Sequence, residues 1–337
     1  MNTQWIVRTQ GDPLQATRRF LEALWTRAGL EAMFVPVCDP GGFRVTARLV
    51  DQPAALAEAD PFAPVLARNG ASEAARLARA GTGKPCAAVL HACEVRALGE
   101  LIKREPLVPG RLLVIGVDCL ATFPVEEFEQ RARAAGGAVA VTREALKFAR
   151  QGGILLYRDR PACQMCASPA PKTTDLCLGL LGLPANELIL VSARDPQTAE
   201  RLHLAEITDG EAPQSVVGDR QSMCAALADR RERTRQRMVE TLTGMPATVQ
   251  ELVAHLTACE PCEECLKACA VYAGELSVPG QTEAELIQHV SHWIVACTGC
   301  GMCEQACPRH LPLAAIMGQI SRELARSASG NPVPAWT

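Results

Sequence analysis

A cysteine pattern repeated near the C-terminus constrains this chain more than any other feature. Cys259, Cys262, Cys265 and Cys269 follow C-x2-C-x2-C-x3-C, and Cys297, Cys300, Cys303 and Cys307 repeat it, with Pro308 behind the second copy. Three cysteines at two-residue gaps let a loop wrap three corners of one 4Fe–4S cubane. The fourth commonly ligates the other cluster of a pair. Structural zinc sites pair two C-x2-C hooks, four thiolates to an ion, and have no use for a third hook at the same spacing. The repeat therefore predicts two 4Fe–4S clusters. Gly299 and Gly301 leave room for backbone amides to approach inorganic sulfide. The stretch between Cys269 and Cys297 is long enough for a helix, which predicts a helical ferredoxin module rather than a compact hairpin type.

The rest of the composition is ordinary for a globular protein. Of 337 residues 48% are hydrophobic and 21% charged, enough to bury a sizeable core. A net charge of −3 implies no polyelectrolyte partner, so nucleic acid is not expected. The strongest apolar runs, Arg111–Val117 and Leu188–Val191, are strand-sized, and no membrane span is expected. The opening MNTQWIVRTQGDPLQ has no basic stretch followed by an apolar one, and a cytoplasmic location is expected. Sixteen cysteines in a reducing compartment point to metal or redox chemistry rather than disulfides.

The pattern along the chain predicts an α/β N-terminal domain, a mixed sheet with flanking helices, over 1–208. A polar linker or solvated helix over 209–240 follows, then a mostly α-helical ferredoxin domain over 241–327 and a tail over 328–337. Gln4–Arg8 reads as a strand and Pro13–Ala28 as a helix with Phe20, Leu21, Leu24 and Trp25 on one face. Phe34–Val37 and Phe43–Val50 read as strands joined at Asp39-Pro40-Gly41-Gly42, a hairpin turn. Strands at Cys86–His91, Arg111–Val117, Ala138–Thr142, Ile154–Tyr157 and Leu188–Ser192 alternate with helices at Glu94–Arg104 and Val125–Ala135, as in sheets flanked by helices. Asp229–Arg237 reads as a solvated face. Thr248–Glu251 and Thr282–Glu285 fit capping boxes. After the second, Leu286, Val290, Ile294 and Cys297 share one helical face, aiming the first cysteine of the next motif toward the core. Leu313, Ile316, Ile320 and Leu324 repeat that spacing on a closing helix.

Several weaker features carry nothing. Gly81-Thr82-Gly83-Lys84 has Ala78 and Pro85 where a phosphate loop needs glycine and Ser/Thr. Gly152-Gly153 reads as a turn, His289 and His292 as solvated helix positions, and His91 as a satisfied strand histidine.

Cys93 and Cys119 each stand just beyond an expected strand, where ligands collect in open α/β sheets. Cys163 and Cys166 form a further C-x2-C hook. Together these four thiols would satisfy a third 4Fe–4S cluster. They also suit ordinary small hydrophobes, and the residues alone leave both readings open. Cys38, Cys86, Cys177 and Cys224 read as plain buried thiols.

The stretches AAVLHACEVRALGEL, RLLVIGVDCLATFP, VTREALKFARQGGILLY and CQMCASPAPKTTDLCLG, within about 84–190, resemble the beta-subunit family of coenzyme F-420-reducing hydrogenases and dehydrogenases. That family includes the beta subunit of formate dehydrogenase, whose arrangement the C-terminal pair of ferredoxin motifs also resembles. Cys93, Cys119, Lys147, Cys163, Cys166 and Asp175 fall at matching places, while Ala92 and Glu94 replace the family's proline and glutamine. The resemblance implies a flavoprotein module. FAD there would exchange hydride with a deazaflavin or nicotinamide, Cys93, Cys119, Cys163 and Cys166 would hold the proximal cluster, and Lys147 would contact the flavin. A carrier giving two electrons together and a cubane accepting one require a flavin between them. The family's glycine-rich segment is not recognisable around Gln15–Leu30.

Two functions are thus expected. The first is an iron–sulfur, flavin-containing electron-transfer subunit of a larger oxidoreductase. It would link F-420 or NAD(P)H to a partner such as formate dehydrogenase, a hydrogenase or a heterodisulfide-reductase-like assembly. The second is a flavin-free iron–sulfur relay joining two redox enzymes.

Overall fold

The computed structural model describes residues 3–80, 83–153, 158–259, 262–272 and 278–329. The strand expected at 154–157 lies outside them. In chain order the elements begin with β1 (Gln4–Arg8), α1 (Pro13–Ala28), β2 (Ala32–Cys38), β3 (Val45–Val50), α2 (Ala71–Arg79), β4 (Cys86–His91) and α3 (Ala92–Arg104). They continue through β5 (Leu112–Val117), α4 (Val125–Ala135), α5 (Ala138–Lys147), α6 (Pro161–Gln164), β6 (Leu176–Gly179), β7 (Leu188–Ala193), α7 (Pro196–Arg201) and α8 (Leu204–Ile207). The long α9 (Gln214–Glu240) leads to α10 (Val249–Thr257), α11 (Glu264–Lys267), α12 (Glu283–Val295), α13 (Met302–Ala306) and α14 (Leu313–Ser329).

The seven strands form one mixed sheet in the order β1-β7-β6-β5-β4-β2-β3. The central run from β2 through β4 and β5 to β6 is parallel, while β3, β7 and β1 are antiparallel to their neighbours. The hairpin expected at Asp39–Gly42 is present. Cys38 pairs with Val45, and the Asp39 carboxylate accepts from the amides of Phe43 and Arg44. Helix α1 starts where Asp12 accepts from the Gln15 amide ahead of Pro13, and stops at left-handed Gly29. Its buried Leu14, Phe20, Leu21 and Leu24 join Val35, Val89, Ile115, Leu178 and Val191 of the sheet in one core.

Three expectations need correction. Ala138–Thr142 is helical, not a strand. Left-handed Gly136 ends α4 and Gly137 restarts the chain, after which Ala138, Val141, Thr142 and Ala145 are buried at three- and four-residue steps. The β-branched alternation of the first five residues yields to that longer period. Second, Leu176–Gly179 is a strand that its four residues were too few to announce. Third, the polar stretch expected as a solvated helix or linker lies largely in the 27-residue α9, and two of its arginines, Arg231 and Arg235, are buried.

The chain divides into two compact units. The first takes Met1–Asp159 and Pro169–Leu227, the second Arg160–Ser168 and Ala228–Thr337. The boundary expected within 209–240 thus falls inside α9. The hook segment, expected with the N-terminal domain, belongs to the C-terminal unit. That unit is helical. Both expected capping boxes form, Thr248 with Glu251 and Thr282 with Glu285. Its core joins Val249, Leu252 and Leu256 of α10 to Leu286, Val290, Trp293 and Ile294 of α12 and to Ile316 and Ile320 of α14. No described helix is long and apolar enough to cross a membrane.

Candidate metal centre

None of the sixteen cysteines forms a disulfide. The eight C-terminal ones gather in two crossed foursomes. Helix α10 ends at Thr257, and its last turn runs on so that the Cys259 amide bonds the Leu256 carbonyl and the Cys262 amide that of Cys259. Glu263, at a positive φ of 49°, reverses the chain into α11, which carries Cys265. These three thiols line a cavity of about 320 Å³ whose wall also includes Cys307, the last cysteine of the other motif. Leu256, Leu266, Val278 and Leu313 make the remainder largely apolar. Burial pushes the Cys265 thiol up to about 11, with Cys307 and Cys262 adding to the effect. At the rim, Arg309 donates from Nη1 to Cys259 Sγ at 3.2 Å.

The second foursome is the mirror of this exchange. Cys303 lies within electrostatic reach of Cys297, Cys300 and Cys269, and burial first, then those three, raise its thiol well above the usual range. Cys269 is raised by burial and by Cys300, and lowered by a hydrogen bond from Trp293. That indole is 2% exposed and donates from Nε1 to Cys269 Sγ at 3.3 Å. Helix α12 supplies Trp293 and delivers Cys297 against the core of the unit, as the apolar spacing led one to expect.

The donor chemistry fits a cubane. Zinc draws four sulfurs to ~2.3 Å from one point. A cubane takes each thiolate at a different corner around a volume, and the first foursome lines a single cavity. Thiols raised by burial and by one another ionise only when a strong cationic partner takes their protons' place.

The Cys163–Cys166 hook sits in the same helical unit. Helix α6 carries Cys163, and Cys166 follows beyond its end with its amide on the Cys163 carbonyl, while Arg160 donates from Nη2 toward Cys163 Sγ at 3.7 Å. Left-handed Gly301, between Cys300 and Cys303, comes so close to this segment that a Cβ there would lie 2.4 Å from Ala162 Cβ. The absent side chain therefore lets the loop of the second foursome abut the residue preceding Cys163. From α9, Arg231 donates to the Cys166 carbonyl at 3.3 Å and Arg235 to the Met165 carbonyl at 3.0 Å.

Cys93, in the first turn of α3, and Cys119, just beyond β5, belong to the sheet-bearing unit, and each adjoins a buried carboxylate. Glu94 accepts from the amides of Gly70 and His91 and meets His91 Nδ1 at 2.9 Å, so this histidine is satisfied as expected. Asp118 accepts from the Leu180 and Leu181 amides and, through both oxygens, from Arg220 at 2.8 and 2.6 Å. Cys119 then bonds the Pro169 carbonyl through its amide at 2.9 Å.

Among the remaining cysteines, Cys38 and Cys177 are buried, burial pushing each thiol up to about 12, while Cys86 and Cys224 are half-buried. Lys147 ends α5, exposed. The glycines that follow it serve packing: a Cβ on Gly152 would strike Leu227, and one on Gly153 the Leu120 carbonyl. Asp175 accepts from the Val114 amide and pairs with Arg194. His289 and His292 are exposed. Sequence reasoning passed over Trp293, Arg309 and Arg231. Only the four-residue step from Trp293 to Cys297 hinted at the first.

No family model matches the chain, and no curated protein matches it. Among solved structures it is similar to a chain of the F420-reducing [NiFe] hydrogenase complex from Methanosarcina barkeri, at 12% identity. The match covers 71% of this chain and 91% of that one with a TM-score of 0.52. The likeness is one of fold, a mixed sheet with flanking helices.

Proposed function

We propose that this chain is an iron–sulfur electron-transfer subunit of a multi-subunit oxidoreductase. The observation that carries the reading is the crossed gathering of the C-terminal cysteines, Cys307 beside Cys259, Cys262 and Cys265, and Cys269 beside Cys297, Cys300 and Cys303. That exchange is the ligand pattern of two-cluster ferredoxins. Clusters bound there would carry single electrons. The protein's part is to supply thiolates, exclude water around them and direct the Trp293 and Arg309 donors at two of the sulfurs. Cys93, Cys119, Cys163 and Cys166 are the proposed ligands of a third cluster. The fold likeness to a chain of a hydrogenase complex supports work within an assembly, with a hydride carrier such as F-420 or NAD(P)H at one end. A formate dehydrogenase, hydrogenase or heterodisulfide-reductase-like partner would stand at the other.

A flavin-free relay is the second reading, and two observations favour it. The segment 13–28 is a helix packed into the core, and the glycines after Lys147 are filled by protein atoms rather than left as a cradle. Anaerobic purification with iron, sulfide and flavin analysis separates the readings. About twelve iron with one FAD supports the flavin-bearing subunit and about twelve without flavin the relay, each cubane holding ~4 iron. About eight iron would sink the third cluster, and about two zinc with no sulfide would sink the whole proposal.

A further inference from the structure

Arg231 is a buried cation with no carboxylate paired to it among the described residues. It is 1% exposed, and it donates from Nη1 to the Cys166 carbonyl at 3.3 Å. Its Nε and Nη2 are buried and meet no acceptor among the described residues. The carboxylate nearest in sequence, Glu232, is engaged by Arg235 at 3.1 Å and Arg322 at 3.3 Å. Arg230 stands beside it with a second positive charge, and burial together with the charge of Arg231 depresses its guanidinium. Withdrawing a guanidinium from water is strongly unfavourable unless an anion is brought to it. No described carboxylate pairs with Arg231, and the chemistry that adjoins it is a cysteine hook. A cubane with four thiolates carries a net negative charge that grows by one on reduction. Such a group on the hook would bring negative charge to a guanidinium whose Nε and Nη2 are unmatched among the described residues.

We propose that Arg231 is the buried counter-ion of an anionic iron–sulfur centre on the Cys163–Cys166 hook, a positioning residue that raises that centre's reduction potential. The inference rests on the reading of the hook as a pair of cluster ligands. Since the reduced centre bears one more negative charge than the oxidised one, a fixed cation stabilises it more and makes reduction easier.

The test uses the full chain, prepared anaerobically, with a redox titration followed by electron paramagnetic resonance. Cys163→Ser identifies the signal that belongs to the hook. In Arg231→Met the reduction equilibrium of that signal should fall about tenfold, ~59 mV for a one-electron couple, with the other signals unmoved. Arg231→Lys, which keeps the charge, should stay near the wild-type value. Loss of the hook's signal in the methionine variant alone supports the counter-ion in the same way. An unchanged potential in Arg231→Met overturns the inference, and so does an equal shift of all signals. Loss of the hook's signal in both variants also overturns it, because the arginine would then serve only to hold the Cys166 carbonyl. If Cys163→Ser removes no signal, the cluster reading of the hook fails first and the counter-ion falls with it.

Discussion

Each cysteine foursome of the helical unit borrows its fourth thiol from the other motif, yet the two sit in different company. Cys259, Cys262, Cys265 and Cys307 surround an apolar cavity whose rim carries exposed Arg309. Cys269, Cys297, Cys300 and Cys303 lie against α12, where a buried indole donates to sulfur. With the same ligands in the same spacing, clusters bound there would owe a difference of potential to these neighbours. A buried donor acts at full strength, whereas an exposed guanidinium acts through solvent and salt. The comparison assigns the α12 group the more protected environment and the cavity group the more responsive one.

The severest way to break it is to test the crossing. Cys307→Ser should remove about four iron and the same resonance signal as Cys262→Ser, while Cys269→Ser should remove the signal shared with Cys300→Ser. If Cys307→Ser and Cys300→Ser erase one signal between them, the foursomes are not crossed. A smaller effect sharpens the contrast. Trp293→Phe deletes the Nε1 donor while keeping an aromatic body, and should shift the reduction equilibrium of the Cys269 group by about tenfold toward the oxidised form, ~59 mV, at every ionic strength. A redox titration at two salt concentrations reads it. Smallest of the three, Arg309→Gln should lower the potential of the Cys259 group by about twofold in equilibrium at low salt. That difference should vanish near ~1 M salt, where the Debye length is ~3 Å. Equal salt dependence in the two variants would remove the distinction between buried and rim donors.

Much of this was legible beforehand where local rules act alone. The capping boxes at Thr248 and Thr282, the hairpin at Asp39 and the limits of α1 all depend on residues within a few positions of each other, and all stand as read. Ala138–Thr142 misled because five residues cannot distinguish strand alternation from a helix that continues to Lys147. The hook at Cys163 was visible as a motif, but not that it belongs with the C-terminal helices, since the contact of Ala162 with Gly301 joins distant stretches of chain. Arg231 was hidden for a related reason. A run of charges shows how many there are, and only the packed helix shows which of them has been turned inward.

The crossing of the two motifs has a mechanical consequence. Each foursome joins a cysteine on one side of α12 to three on the other, so metal groups bound there would act as paired clasps around the same length of chain. Closing such long loops carries an entropic cost that metal binding offsets, and both loops share α12. Oxidative loss of either group should therefore loosen the helix for its partner as well. Damage to this chain should spread as a two-step unlacing rather than as two independent injuries.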